Sequence, residues 1–430
     1  MAGKPAALSE GIRLSDLMST MVLANIFPLE DVHEVLAQTG KTSQRERNLP
    51  APFMVYYMMA LGLYRHAPYQ EVLRCIFEAF TWLSPQGQEM PISCKAALSQ
   101  ARTRLGPEPM RLLYQSKVRP IAEKETPDAF FASRRVISLD GSVMNLGDTT
   151  ANAEAFGRPG VSRGPGSAFP QLRFVTLVEN GTHVLFGAVP GPYATSEVTL
   201  ARDVVKHLEP GMLCLADRFF YGFELWSQAA STGSDLLWRV RKNQILPCEE
   251  RFPDGSYLST IYPSTVRLRQ KRDGKRVRVV EYQLAEPKKK RAKVTQRGSE
   301  KGNSDGLTDD TDSNEEKDEG ETIYRLITTI LDPTQASALD LAKLYACRWE
   351  IETTLDEFKT HLHGHDLVLR SKTPDGVYQE FWGLMLAHHA VRHIMHQAAQ
   401  SCGISAQRLS YTHSLREIRR KLPQFLVIPP

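Results

Sequence analysis

Five apolar residues in a row, Met212 to Ala216, are closed by Asp217 and followed by the helix-like run F-E-L-W-S-Q-A-A. No other stretch constrains the chain so much. A run this short and apolar at every position is a buried strand, and a helix behind it indicates an α/β core. The same texture occurs elsewhere. V-I-S-L-D-G-S-V-M-N-L is strand-like up to a D-G step at Asp140, and L-R-F-V-T-L-V-E-N-G-T-H-V-L-F-G-A-V gives two β-rich runs joined at Asn180-Gly181, a hairpin signal. Y-R-L-I-T-T-I-L-D adds another strand. With 430 residues, 42% of them hydrophobic, the chain can bury a sizeable core in two or three domains.

Around this core the texture differs. From about Leu14 to Leu112 apolar residues recur at three and four, as in E-V-L-R-C-I-F-E-A-F, which predicts an all-α domain over residues 1–128 ahead of an α/β domain over 129–430. Within the helical part, P-I-S-C-K-A-A-L-S-Q-A-R-T-R-L-G predicts a helix capped at Ser93 and at Gly106. It carries Lys95, Ser99, Gln100, Arg102 and Arg104. Such a face suits either a DNA groove, as the second helix of a helix-turn-helix, or plain solvent. A β-rich insertion is expected over 240–322. There V-R-L-R-Q-K-R-D-G-K-R-V-R-V-V-E-Y reads as a hairpin turning at Asp273-Gly274, with Arg267 and Arg269 on one face and Arg276 and Arg278 together on the partner strand. That ribbon is either a phosphate-binding surface or an edge protected by charge. Residues 286–321, a basic block followed by an acidic one, offer almost nothing apolar to bury and are expected to be disordered. A final helix is expected from Glu380 to about Ala399.

The formal charge is only +4, so a nucleic-acid partner must be argued from where charge sits. Six cysteines contain no C-x-x-C pair, and four of them lie among apolar neighbours, as reduced, buried thiols do. No signal-peptide pattern and no apolar run of bilayer length occurs, which predicts a soluble cytoplasmic protein without a membrane partner.

The chemistry concentrates in Y-A-C-R-W-E-I-E-T-T-L-D-E-F-K. On a helix at about 100° per residue, Tyr345, Arg348, Glu352 and Lys359 share an arc of about 60°. Arg348 and Glu352 have the spacing of an i,i+4 ion pair, so a solvated face would suffice to explain them. Asp140 and Asp217 change the balance, because ionised carboxylates at the ends of buried strands require a partner. Three carboxylates from two strands and one helix suit Mg²⁺ or Mn²⁺, and a pair of such ions supports in-line phosphoryl transfer. Arg348 and Lys359 would then hold substrate phosphates, and Tyr345 would hydrogen-bond one.

The gap-free pattern Y-x-x-R-x-x-x-E-x-x-x-x-x-x-K resembles the signature of DDE transposases of the insertion-element-4 family. L-D-G with D-T-T-A-N-A-E-A-F-G-R-P-G, and L-A-D-R-F-F-Y-G-F, are similar to that family's first and second aspartate regions. I-F-P-L-E-D-V-H-E-V-L resembles its N-terminal helical domain. The resemblance implies a ribonuclease-H-like core, a metal triad of Asp140, Asp217 and Glu352 using Mg²⁺ or Mn²⁺, and contacts from Tyr345, Arg348 and Lys359 to transposon-end DNA. It further implies cleavage at terminal inverted repeats, joining of the 3′-hydroxyl to target DNA, a homodimer in the synaptic complex, and association with the bacterial nucleoid when DNA is bound. The short tail after the final S-Y-T-H-S-L-R-E-I-R-R-K-L segment leaves little room for a C-terminal dimerisation domain. The rivals are a metal-dependent nuclease of the same fold and an inactive DNA-binding derivative. The histidines of H-L-H-G-H are expected to act as charges at a helix C-terminus, and His388, His389, His393 and His396 as packing residues.

Overall fold

The computed structural model describes residues 22–43, 49–81, 94–160, 169–263, 273–283, 323–364 and 368–421. The described chain opens with helices α1 Val22–Ile26, α2 Leu29–Gln38, α3 Ala51–Leu63, α4 Tyr69–Thr81, α5 Lys95–Leu105 and α6 Glu108–Lys117. Strands β1 Phe130–Phe131 and β2 Arg134–Asn145 follow, then α7 Thr150–Phe156, β3 Gln171–Glu179, β4 Val184–Pro192 and α8 Glu197–Val204. Next come β5 Met212–Ala216, α9 Phe223–Ser231, β6 Asp235–Arg239, β7 Glu250–Arg251, β8 Tyr257–Ile261, β9 Lys275–Gln283 and β10 Ile323–Thr328. The chain closes with α10 Ala338–Ala346, α11 Glu350–Asp356, the long α12 Pro374–Cys402 and α13 Tyr411–Lys421.

All the described strands belong to one sheet, in the order β4-β3-β2-β5-β6-β10-β9-β8-β7 with β1 against β2. β3 runs antiparallel to both of its neighbours, β2 and β4, whereas β5 runs parallel to β2, and β6 parallel to β5. Three antiparallel strands continued by two parallel ones, with helices between, form the ribonuclease-H-like core. The Asn180-Gly181 turn forms as the sequence predicts, with Gly181 at φ +82°. A Cβ there would stand 2.7 Å from the Pro127 carbonyl oxygen, so glycine meets both the backbone conformation and the close approach.

The β-rich segment between 240 and 322 does not stand apart. Its strands β7, β8 and β9 continue the same sheet through β10, which pairs with β6 on one side and β9 on the other. β9 does begin just after Asp273-Gly274, and its described neighbours are β10 on one side and β8, in register Tyr257 to Val279, on the other. Arg267, Arg269 and the 286–321 tract lie outside the described residues. Arg276 is exposed. Arg278 is not: it is fully buried, and it donates to Asp254 Oδ2 at 2.6 Å, Ser256 Oγ at 2.8 Å and the Ala336 carbonyl at 2.7 Å. β9 is an interior strand covered on that face by the loop entering α10, so Arg278 has become a structural tie and not a phosphate contact.

The N-terminal helices share one apolar core with the sheet and with α12. α3 is apolar all round, and every residue in it except Ala51 is buried. α3 and α12 cross with their backbones nearly touching. A Cβ on Gly383 would stand 2.7 Å from the Met58 carbonyl oxygen, and one on Gly62 2.9 Å from Ala387 Cβ. α12 itself begins six residues before the expected Glu380, where Thr373 caps it by accepting from Gly376 N at 3.3 Å and Pro374 fills the first turn.

The histidines of α12 do pack. His389 lies against the Phe27 ring at 5.7 Å and His388 against Tyr411 at 5.6 Å. Burial, with help from His393, pushes His389 down to about 3, and burial with the neighbouring Arg392 holds His388 well below the usual imidazole range. Both are neutral when folded, while the unfolded chain takes up their protons as pH falls through about 6.5. Folding stability is therefore expected to fall below that pH by about 1.4 kcal/mol per pH unit for each such histidine. Urea midpoints at pH 7 and pH 5 measure this, and His389→Leu should flatten the dependence; identical slopes in variant and wild type would refute the assignment.

All six cysteines are free, but only Cys214 is buried, and Cys94, Cys248 and Cys402 are exposed. The expectation of four buried thiols fails because apolar sequence neighbours do not fix the face on which a cysteine lies: Cys75 is only half-buried in mid-helix, and Cys94, Cys248 and Cys402 sit in loops or at helix ends. Among the described residues no helix is long and apolar enough to cross a membrane.

Candidate active site

The sheet itself brings the two aspartates together. β2 and β5 are neighbouring parallel strands in register Leu139 to Ala216, so Asp140 and Asp217, the next residue on each, stand side by side. Asp140 Oδ1 accepts from Gly141 N at 2.8 Å and Asp217 Oδ1 from Arg218 N at 2.6 Å, which leaves the second oxygen of each free of those bonds. Burial pushes Asp140 up to about 7 against the lowering influence of the Gly141 amide and Arg348, and the neighbouring Glu197 and Asp217 raise it further. A carboxyl so placed favours any cation that can replace its proton.

The predicted helix is less regular than a single amphipathic cylinder. α10 ends at Ala346, Cys347–Trp349 form a 3₁₀ turn, α11 follows, and Glu357–Gly364 widen into a π-helical stretch. A uniform 100° step therefore fails on both sides of Glu352. The outcome for the motif is nonetheless convergent for three of its residues. Tyr345 is buried, and its hydroxyl donates to the Ala216 carbonyl at 3.3 Å, bracing the strand end that presents Asp217. Arg348, also buried, lies 3.7 Å from Asp140 Oδ2 and donates to Glu352 Oε1 at 3.0 Å. One guanidinium thus joins the first-strand aspartate to the helix glutamate. Lys359, in the π stretch, is half-buried, and burial lowers its ammonium against the opposing pull of Asp356.

The β3–β4 turn holds this helix from behind. Asn180 Nδ2 donates to the Cys347 carbonyl at 2.9 Å and Gly181 N to Glu350 Oε2 at 2.8 Å, while His183 and Arg392 both meet the buried Glu357. Glu350 and Glu357, on either side of Glu352, are therefore anchors, and Glu352 points outward with 43% of its side chain exposed.

Two features near the carboxylates escaped sequence reasoning. Glu197, the first residue of α8, reaches Gly141 so closely that a Cβ there would stand 2.8 Å from its carboxyl carbon. Only the capping Ser196 before it marked the helix start, which gave no hint that it faces Asp140. Trp349 and Phe219, adjacent in sequence to Arg348 and Arg218, are exposed large aromatics, at 61% and 53%. Their exposure was not readable from spacing. Conversely, Arg102, expected to face DNA, donates to Gln379 Oε1 at 3.0 Å and Ser371 Oγ at 2.8 Å, while Arg104 is exposed.

Among the described residues no group of three or more His, Cys, Asp or Glu side chains is arranged to hold a metal ion. The donor set fits a hard divalent cation in kind, since it is all carboxylate oxygen and Asp140 is poorly solvated. Arg348 occupies the space between Asp140 and Glu352, so a shared ion requires Glu352 to turn away from that guanidinium.

Comparison with known proteins accords with this geometry. Residues 17–115 match the insertion element 4 transposase N-terminal domain, and residues 131–389 match the transposase DDE domain. The chain is 26% identical over 396 residues to transposase InsG for insertion sequence element IS4 of Escherichia coli (strain K12), covering 91% of this chain and 80% of that protein. It is 24% identical over 221 residues to the putative transposase InsZ of the same strain, covering 51% and 71%. A solved piggyBac transposase synaptic complex with hairpin DNA aligns over 94% of this chain and 80% of that one, with a TM-score of 0.44 and 10% identity. The DDE domain brings with it dependence on a divalent metal ion. With paired aspartates on adjacent parallel strands, a glutamate tied to the first of them through arginine, and both domain matches spanning the helical region and the core, the chain belongs to the DDE transposases of the insertion element 4 type.

Proposed function

We propose that Asp140, Asp217 and Glu352 are the residues with which this transposase holds Mg²⁺ or Mn²⁺ at a phosphodiester of its element's terminal inverted repeats, cutting there and joining the freed 3′-hydroxyl to target DNA. The observation that carries the reading is the register that sets Asp140 beside Asp217 while Arg348 links Asp140 to Glu352. A bound divalent ion supplies charge that polarises the scissile phosphodiester and favours the attacking oxygen. The chain's own residues do the rest. Tyr345 braces the Ala216 carbonyl and so fixes where Asp217 points, and Arg348 keeps Glu352 close until it has a phosphate to engage. In this reading Tyr345 is a positioning residue, Arg348 and Lys359 meet end DNA, and exposed Trp349 offers a face on which an unpaired base stacks. Arg104 and Arg276 are exposed and would add sequence-independent phosphate contacts, and a homodimer would pair two element ends.

The test uses purified protein with duplex DNA from the boundaries of this reading frame, with Mg²⁺, Mn²⁺ or a chelator. Nicks at the boundary followed by joined products are expected only with metal. Scattered cutting without joining would replace the reading with a nuclease, and binding without any cutting would make the chain an inactive derivative. Lys359→Ala is expected to weaken end binding and make its salt slope less negative by about 0.9 per lost phosphate contact, read by fluorescence anisotropy across salt concentrations.

A further inference from the structure

A second cationic site lies away from the carboxylates. A cavity of about 590 Å³ opens between α5 of the helical region and the segment leading into α12, and Tyr69, Arg102, Arg370, Lys372, Asp375 and Gly376 are among the residues lining it. Arg102 and Arg370 both stack on the Tyr69 ring, at 5.4 and 4.5 Å. Arg102 spends its described hydrogen bonds on Ser371, Gln379 and Gly376. Arg370 is different. It gives one Nη to the Ala67 carbonyl at 2.8 Å, while its Nε and its other Nη are buried and find no acceptor among the described residues. A guanidinium edge buried with two unpaired donors demands an acceptor, and the wall offers little competition: Glu380 is engaged by Arg65 and Ser371, and Asp375 is exposed at the rim. Exposed Lys372 adds a further positive charge. Two guanidinium donors side by side match two oxygens of one phosphate.

The placement favours a phosphate of the DNA backbone. The segment behind the cavity is hydrogen-bonded to the end of β2, with Leu369 N donating to the Asn145 carbonyl at 2.9 Å and Gly147 N to the Leu369 carbonyl at 2.9 Å. The cavity is thus fixed to the strand that carries Asp140. Six residues of strand from Asp140 to Leu146 span about 20 Å. That corresponds to about six nucleotides at ~3.4 Å each along one strand.

We propose that this cavity seats a backbone phosphate of the bound DNA duplex, about six nucleotides from the phosphodiester held at Asp140, with Arg370 as the fork and Lys372 as the second charge. The proposal rests on the reading of the chain as a DNA-cutting enzyme but is tested apart from cutting. The full-length protein is titrated with a fluorescent random-sequence duplex at several salt concentrations. Because Arg370 also ties Ala67 and Tyr69, Lys372→Gln, at an exposed position, is the primary variant, and Arg370→Lys, which keeps charge but loses the fork, is the second; both are checked for wild-type melting temperature.

Lys372→Gln is expected to make the slope of log K against log salt less negative by about 0.9. Arg370→Lys should keep the slope and weaken binding several-fold. Wild-type slope and affinity in both folded variants would overturn the proposal while leaving Asp217-dependent cleavage intact. Calorimetric binding of inorganic phosphate that the variants abolish, with duplex binding unchanged, would assign the cavity to a free anion and overturn the DNA assignment. Failure of the wild type to bind any duplex would remove the underlying reading as well.

Discussion

Asp217→Ala is expected to eliminate strand cleavage while leaving DNA binding within a few-fold of wild type. Asp217 stands at the end of β5, level with Asp140 on β2, which Arg348 links to Glu352. In the proposed reading the loss of Asp217 removes a cation ligand, at a half-buried position outside the apolar core. A drop of at least about a thousand-fold in cleavage rate, equivalent to about 4 kcal/mol of barrier, is the expected size. Asp140→Ala and Glu352→Ala should match it. Cleavage is read on boundary DNA and binding by anisotropy on the same substrate; any of the three that cuts at near wild-type rate leaves the triad.

Glu380→Gln should have the largest effect on stability. Its carboxylate is buried against Arg65 and also accepts from Arg370 N at 3.1 Å, Ser371 N at 2.9 Å and Ser371 Oγ at 2.7 Å. Burial alone would raise its pKa, but Arg65 and Ser371 outweigh it and hold the carboxyl down at about 2. The variant leaves Arg65 charged, buried and unmatched, which costs about 3–5 kcal/mol. Urea unfolding at neutral pH checks this. Asp203→Asn, at an exposed ion pair with Lys206, should shift stability by no more than about 0.5 kcal/mol, and equal effects would show that the buried pair is not special. Since the folded value is depressed, the contribution of Glu380 is complete above the usual glutamate range and is lost as pH falls toward 2.

How far the sequence was legible depends on the range over which each interaction acts. The strand ends at Asp140 and Asp217, the Asn180-Gly181 turn and the α/β core were readable because apolar runs and turn glycines act over a few residues. The link of Glu352 to Asp140, made through Arg348, was approachable only through its motif. Arg278 was misread because alternation assigns a face but cannot say that the loop before α10 covers that face. The run expected to pair with β9 across the D-G step lies outside the described residues, and a D-G step predicts a turn without naming the other neighbours, β8 and β10. The Glu197 approach, the Arg348 bridge and the Arg370 cavity join residues dozens to hundreds of positions apart, and no local pattern encodes them.

The crossing of α3 by α12 also bears on how the molecule is made. Helix α3 is apolar on every side, and the element that covers it, with glycine against backbone at Met58 and Gly383, is synthesised only after the whole sheet. Until then a nascent chain carries that sticky surface uncovered, with the whole sheet still to be threaded between the two. Productive assembly should thus wait until α12 has been made and be slow, and chaperone depletion during expression should divert chains into inclusion bodies.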